Sequence, residues 1–332
     1  MEIYREVRVQ YSQTGTFSLQ YLFLGIRMKN KDLITIRDWS ADALNELITL
    51  ALAVKDSPLK YRNALDHKAL VMIFEKPSLR TRVSFDVGIQ QLGGFSLYLT
   101  GNEINLGQRE SISDVARNLE RLVQGIMVRT FSHSDVEDIA KYASVPVING
   151  LTDFCHPCQA LADYMTIREV KGTTRKIKIA YIGDGNNVAN SLIYGAVRFG
   201  AYLHIASPHG YEPDPGVVQW AKENAGESES QVEILRDPFL AAEEADVIYT
   251  DVWTSMGAES EASERRDAFR LFQVNDAVVS RAKPDYVFMH CLPAHRGEEV
   301  TASVIDSGHS VVFQQAENRL HAQKAVMITL MG

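Results

Sequence analysis

The chain has 332 residues, 45% of them hydrophobic and 23% charged, enough for two globular domains of ordinary size. A formal net charge of −8 argues against a nucleic-acid binder as a whole, so any cationic site must be local. No apolar run reaches the ~20 residues of a membrane-spanning helix, and three cysteines, Cys155, Cys158 and Cys291, give no disulfide framework and fit a reducing cytoplasm.

Met1 to Arg27 has little periodicity. Glu2 and Glu6 spoil a basic leader, so this segment reads as a dispensable extension with Met28 as an alternative start. From Asp38 onward helices and strands alternate. Ala41–Lys55 is a predicted helix with Leu44, Leu47, Ile48, Leu50 and Leu52 on or near one face. The apolar run Ala69–Phe74 reads as a buried strand. Pro77 ends it, and Ser78 caps a helix running to Gly93. Ser111–Gln124 opens with a Ser-x-x-Asp box and is expected to bury Val115, Leu119 and Leu122. Strands Ile126–Arg129 and Val145–Asn149 follow, then helix Gln159–Lys171. The polar break Gly172-Thr173-Thr174 reads as a domain boundary. Beyond it come strands Lys178–Ile182, Ala201–Ala206, Val232–Leu235, Val247–Thr250, Tyr286–His290 and Ser310–Phe313, with a polar surface turn at Gly226–Ser230 and a last helix, Gln315–Met331. The pattern predicts an α/β fold of two doubly wound parallel-sheet domains, 28–171 and 172–313. A cleft lies between their strand carboxyl ends, and helix 314–332 packs back on the first domain.

Polar signals gather at the predicted strand ends. In Ser78-Leu79-Arg80-Thr81-Arg82, helix-start N–H groups, two guanidinium groups and two hydroxyls share one turn, which suits a small, doubly charged phosphate ester. The same turn also fits a capped helix with two solvated arginines. Arg129 closes its strand, as a ligand group or a surface ion-pair partner. In His156-Pro157-Cys158-Gln159, an imidazole and a carboxamide start one helix and could hold the oxygen and nitrogen of an amide-like group, or simply cap it. His290-Cys291-Leu292-Pro293 ends a buried strand in polar side chains, although Cys291 also suits a small core position. Gly183-Asp184-Gly185-Asn186-Asn187 superficially suggests a dinucleotide loop, but Ala189 stands where the third glycine belongs, and Ala206-Ser207-Pro208 offers no ribose-binding acid. Asp251, past strand Val247–Thr250, could pair with an ammonium group, and Asn187 could hydrogen-bond a carboxylate.

With F-E-K-P-S-L-R-T-R, H-P-C-Q, G-D-G-N-N-V, D-V-W-T-S-M-G, H-C-L-P-A and A-E-N-R in this order from about Asp32 to Met327, the chain resembles the aspartate/ornithine carbamoyltransferase family. H-C-L-P and S-M-G favour its ornithine branch. The resemblance implies transfer of the carbamoyl group of carbamoyl phosphate to the δ-amine of L-ornithine, giving L-citrulline and phosphate in arginine metabolism, without metal or organic cofactor. It implies that Ser78, Leu79 (through its backbone), Arg80, Thr81 and Arg319 hold the phosphate, and that Arg129 and His156, with Thr81, polarise the carbamoyl oxygen. Gln159 and the backbone around Cys291, Leu292 and Pro293 would orient the carbamoyl nitrogen, with Arg82 buttressing the turn. Asn187, Asp251, Ser255 and Met256 would hold ornithine, with Cys291 near its δ-nitrogen. Leu79 replaces the usual threonine, and Asn105 stands where many members carry a glutamine that reaches a neighbouring subunit's phosphate site. That loop implies a homotrimer, alone or stacked with other trimers into a larger assembly. Putrescine or an N-acylornithine is the alternative acceptor; a nicotinamide-dependent dehydrogenase and a non-catalytic binding protein are the rival classes.

Overall fold

The computed structural model describes residues 31–254, 257 and 259–332. The expected extension, together with Ser255 and Met256, therefore lies outside the described residues. The first half runs Ala41–Asp56 (α1), Ala69–Phe74 (β1), Leu79–Gln91 (α2), Phe95–Thr100 (β2), Gly101–Ile104 (α3), Ile112–Leu119 (α4), Gly125–Arg129 (β3), His133–Tyr142 (α5), Val147–Leu151 (β4) and Pro157–Lys171 (α6). The second runs Lys178–Ile182 (β5), Asn187–Phe199 (α7), Tyr202–Ala206 (β6), Pro215–Ser228 (α8), Gln231–Leu235 (β7), Pro238–Ala242 (α9), Val247–Thr250 (β8), Ala262–Phe269 (α10), Asp276–Val279 (α11), Val287–His290 (β9), Ala302–Ile305 (α12) and Val312–Met331 (α13).

Both sheets are parallel, in the orders β2-β1-β3-β4 and β7-β6-β5-β8-β9. In each, the chain leaves the first strand to one side and returns on the other. The carboxyl ends of β1 and β3, and of β5 and β8, are therefore the points where successive loops diverge and leave room for a ligand. Side chains alternate across β1: Leu70, Met72 and Phe74 face the central core, whereas Ala69, Val71 and Ile73 join Ile126 and Val128 under the outer helices. The central core is shared by α1, α6, α7 and α13, so it runs from one sheet to the other. The last helix leaves the second sheet and packs mainly on α6, α1 and α2 of the first half.

Four expectations are corrected. Ser310–Phe313 is not a strand: Ser310 makes a single bridge to Phe288, and Val312 already begins α13. Leu122 is exposed at 73%, because α4 stops at Leu119 and helical periodicity ends with it. The fourth strand of the first sheet is Val147–Leu151 rather than Val145–Asn149. Gly226 and Ser228 lie in the last turn of α8, so the surface turn is shorter than expected.

Candidate active site

The β1–α2 turn forms one wall. Strand register sets Phe74 opposite Arg129, so the turn that follows β1 lies beside the end of β3. Ser78 caps α2, its Oγ accepting from the Thr81 N–H at 3.2 Å. Three guanidinium groups converge around this cap. Arg80 donates to the Leu292 carbonyl (2.7 Å), Arg129 Nε to the Lys76 carbonyl (3.2 Å), and Arg319, from α13, to Thr81 Oγ1 (2.7 Å). Among the described residues no carboxylate forms an ion pair with any of the three. Clustered buried cations without counter-charge are costly unless an anion completes them. Burial, then Arg319 and Arg80, push Arg129 down to about 10, so it stays charged at neutral pH. Lys76 differs: it is already paired with Asp153, and its ammonium sits 4.1 Å from the centre of the Phe131 ring.

The β4–α6 turn adds neutral groups. Pro157 occupies the first turn of α6 and sets His156 as its cap; the His156 N–H donates to Ser191 Oγ at 2.7 Å. Burial, helped by Arg319, Arg129 and Arg80, holds the imidazole well below its usual pKa, and its Nδ1 is buried without a protein partner. A neutral imidazole can donate one N–H to a developing oxyanion without adding a fourth charge. One turn along α6, Gln159 donates from Nε2 to Asp163 at 2.8 Å, which leaves its buried Oε1 unpartnered. Burial pushes the Asp163 carboxyl up to about 7 against the pull of its donors Gln159, Gln315 and Tyr249.

The opposite wall follows from the register of the second sheet. Thr250 pairs with His290, so the next residues on each strand, Asp251 and Cys291, emerge side by side. The Cys291 thiol donates to Asp251 Oδ1 at 2.8 Å, and Asn186 Nδ2 donates to Oδ2 at 2.8 Å. Burial and the Asp251 charge keep the thiol far above its usual pKa, so Cys291 is a protonated donor here rather than a thiolate nucleophile. Asn187, at the start of α7, donates to the Thr152 carbonyl at 2.6 Å and so ties the two halves together. Asp184 is anchored by Arg265 (2.9 Å), while burial raises its pKa to about 6. Gly185 passes so close to Glu212 and Pro213 that a Cβ would lie 2.1 Å from the Pro213 nitrogen, which explains a glycine here without any nucleotide.

These walls enclose a cavity of about 770 Å³ between the two sheets. Ser78, Leu79, Arg80, Arg129, His156 and Gln159 line one side with Arg319; Asn187, Asp251, Cys291 and Leu292 line the other. Thr81 is fully buried just behind, bonded to Ser78 and Arg319. Asn105 is not part of this lining: it caps α3 in a left-handed conformation on the exposed surface. Arg82 is exposed and lies 3.9 Å over the Tyr98 ring of β2, away from the cavity lining. Sequence reasoning gave no role to Asp153, Asp184, Asn186, Arg266, His295 or Glu298, which also line the cavity. Asp153 and Asp184 carried nearly the same signal as Arg129, a polar residue at or just past the end of a buried strand.

Two facing parallel sheets with an uncompensated arginine cluster opposite an anchored carboxylate define a transferase-like site for an anion and an amine. Residues 31–169 match the model of the aspartate/ornithine carbamoyltransferase carbamoyl-P binding domain, and residues 175–330 that of the Asp/Orn binding domain. The chain belongs to the aspartate/ornithine carbamoyltransferase family. It is 57% identical over 309 residues to the ornithine carbamoyltransferase of Thermococcus kodakarensis, covering 92% of this chain and 98% of that protein. The solved ornithine carbamoyltransferase of Pyrococcus furiosus superimposes with a TM-score of 0.88 at 56% identity, over 91% of this chain and 97% of that one. That of Thermus thermophilus does so with a TM-score of 0.83 at 43% identity, over 91% and 99%.

Proposed function

We propose that this chain is a carbamoyltransferase that moves the carbamoyl group of carbamoyl phosphate to the δ-amine of L-ornithine, releasing L-citrulline and phosphate. The observation that carries the reading is the single cavity with Arg80, Arg129 and Arg319 on one wall and Asp251 with Cys291 on the other. Relatives named ornithine carbamoyltransferase at 50–57% identity over most of the chain support it, and the Pyrococcus furiosus relative named anabolic supports the biosynthetic direction.

In this reading the phosphate sits on the α2 N–H groups, Ser78, Leu79, Arg80, Thr81 and Arg319. The neutral δ-amine attacks the carbonyl carbon; a C–N bond forms while Arg129, His156 and Thr81 stabilise the oxyanion. The bond from carbon to the phosphate oxygen then breaks, and the amine proton leaves with the departing phosphate. Gln159, Leu292 and Cys291 orient the carbamoyl nitrogen. Asp251 pairs with the α-ammonium group of ornithine and Asn187 meets its carboxylate, with Ser255 and Met256 completing that subsite. An alkylammonium has a pKa near ~10, so removal from water and orientation matter more than a dedicated base.

The division into a carbamoyl-phosphate domain (28–171), an ornithine domain (172–313) and a returning helix (314–332) is part of the same proposal, as are a cytoplasmic location and a homotrimer. Exposed Leu79, Val83 and Val87 on α2, with Phe95 and Leu97 on edge strand β2, support subunit contacts beside the site, where Asn105 would reach a neighbour. Sedimentation of the full chain tests this: three chain masses, or a multiple of three, support it, and one or two overturn it. Among the described residues no helix is long and apolar enough to cross a membrane. For the reaction, steady-state assays with ornithine and putrescine decide. Citrulline formation with a strong ornithine preference is expected; a preference for putrescine, which has no carboxylate, would overturn the acceptor.

A further inference from the structure

The carboxylate of Asp163 is fully buried, and its known contacts are all donors from three separate segments. Gln159 Nε2 (2.8 Å) and Gln315 Nε2 (2.7 Å) reach Oδ1, and the Tyr249 hydroxyl (3.2 Å) reaches Oδ2. Above the value of about 7 at which Asp163 ionises, its carboxylate only accepts, so it dictates which end of each neighbouring amide faces it. Gln159 must present its NH2 group to Asp163, which leaves Oε1 as a buried acceptor in the cavity wall. Gln315 must do the same, and its Oε1 then accepts the His290 N–H at 2.9 Å. His290 immediately precedes Cys291 and Leu292, so one carboxylate orders both sides of the place where the carbamoyl nitrogen would lie.

We propose that Asp163 is a positioning residue for substrate selectivity: by fixing the Gln159 amide it makes the cavity prefer a carbonyl bearing NH2 over one bearing CH3. This rests on the carbamoyltransferase reading above. With Asp163 replaced by an apolar residue of similar size, nothing holds the Gln159 amide, and either end can turn to the cavity. An Asn at 163 keeps an acceptor oxygen for both glutamines, and its NH2 can donate to the Tyr249 oxygen.

Calorimetry on the full chain at pH 8.5, where Asp163 is ionised, with a matched pair of stable phosphonates provides the test. Phosphonoacetamide carries NH2 on its carbonyl; acetonylphosphonate carries CH3 at the same place. The wild-type chain should bind the amide about tenfold more tightly, as expected for one well-made buried hydrogen bond. In Asp163→Leu the preference should fall to within about twofold, while affinity for inorganic phosphate is unchanged; Asp163→Asn should keep the preference. Should Asp163→Leu fail to fold, Asp163→Ser, whose hydroxyl is too short to reach the amide, carries the same comparison. Gln159→Leu should reproduce the loss, and combining it with Asp163→Leu should add nothing further. A wild-type chain without preference, an Asp163→Leu or Gln159→Leu chain that keeps it, or an equal weakening of all three ligands overturns the role. Absence of citrulline from the wild-type chain would instead overturn the reaction, whatever the phosphonate ratio.

Discussion

Arg129 and Asp251 show how the same position in a parallel sheet, the end of a strand, becomes a different chemical instrument through its neighbours. Arg129 has a backbone carbonyl on Nε and two other guanidinium groups nearby, so it is held in place while its charge is left for a ligand. Arg129→Ala should lower kcat by about two to three orders of magnitude, the usual effect of deleting an oxyanion donor. Asp251 receives Cys291, Asn186 and its neighbour's N–H, so its carboxylate is fixed before any amine arrives. Asp251→Asn should chiefly raise KM for ornithine, by about tenfold or more for a lost charge-assisted contact; an unchanged KM would remove Asp251 from the ornithine subsite. His156 fixes the sign of the pH dependence. Because burial and three arginines lower its pKa, the neutral donor persists at and below pH 6.5, and no activity is lost through that value. With the δ-amine titrating near ~10 and the α-ammonium group that Asp251 holds titrating lower, kcat/KM for ornithine should climb about tenfold per pH unit from pH 6 to about 8 and flatten above it. A separate break near pH 6.5 that vanishes in His156→Asn would contradict the neutral imidazole.

The contact between α6 and α7 is what holds the two walls at a fixed separation. Tyr164 of α6 is fully buried, and its hydroxyl donates to the Leu192 carbonyl of α7 at 2.8 Å. Its ring leaves room only for hydrogen at Gly195, where a Cβ would lie 2.0 Å from a ring carbon. Gly195→Ala should therefore destabilise the chain by about 1–3 kcal/mol as the helices are forced apart, read as a lower melting temperature together with weaker citrulline formation. A variant with wild-type melting and rate would show that the spacing is not set there. The elements that carry chemistry were legible because each follows a buried strand with a cap, a proline or a charged side chain: Ala69–Phe74 before Pro77 and Ser78, Val247–Thr250 before Asp251, and Val147–Leu151 before His156-Pro157. Elements whose pattern is mixed were not. Phe95–Thr100 is a half-exposed edge strand with neither clean alternation nor an apolar run. Val311-Val312-Phe313 looks like a strand but opens a helix, and short apolar runs do not distinguish the two. Asp163 was invisible for another reason: its partners come from α6, β8 and α13, far apart in the chain.

At the scale of the molecule, a cluster of two buried cations and the half-buried Arg80 is tolerable because the chain places it between two sheets rather than inside either. Each half supplies one divergence point, and α13 carries a side chain, Arg319, from the end of the chain back to Thr81 in the first half. The central claim is that this interface binds both substrates at once, the phosphate end against the first sheet and the amino-acid end against the second. A crystal of the full chain soaked with a bisubstrate compound, in which a phosphonate and a carbonyl are joined to ornithine, tests it most directly. The phosphonate should lie on Ser78, Arg80 and Arg319, the carbonyl oxygen within hydrogen-bond distance of Arg129 and His156, and the α-ammonium group against Asp251. A compound bound elsewhere, or in this cavity with its ends reversed, would contradict the account.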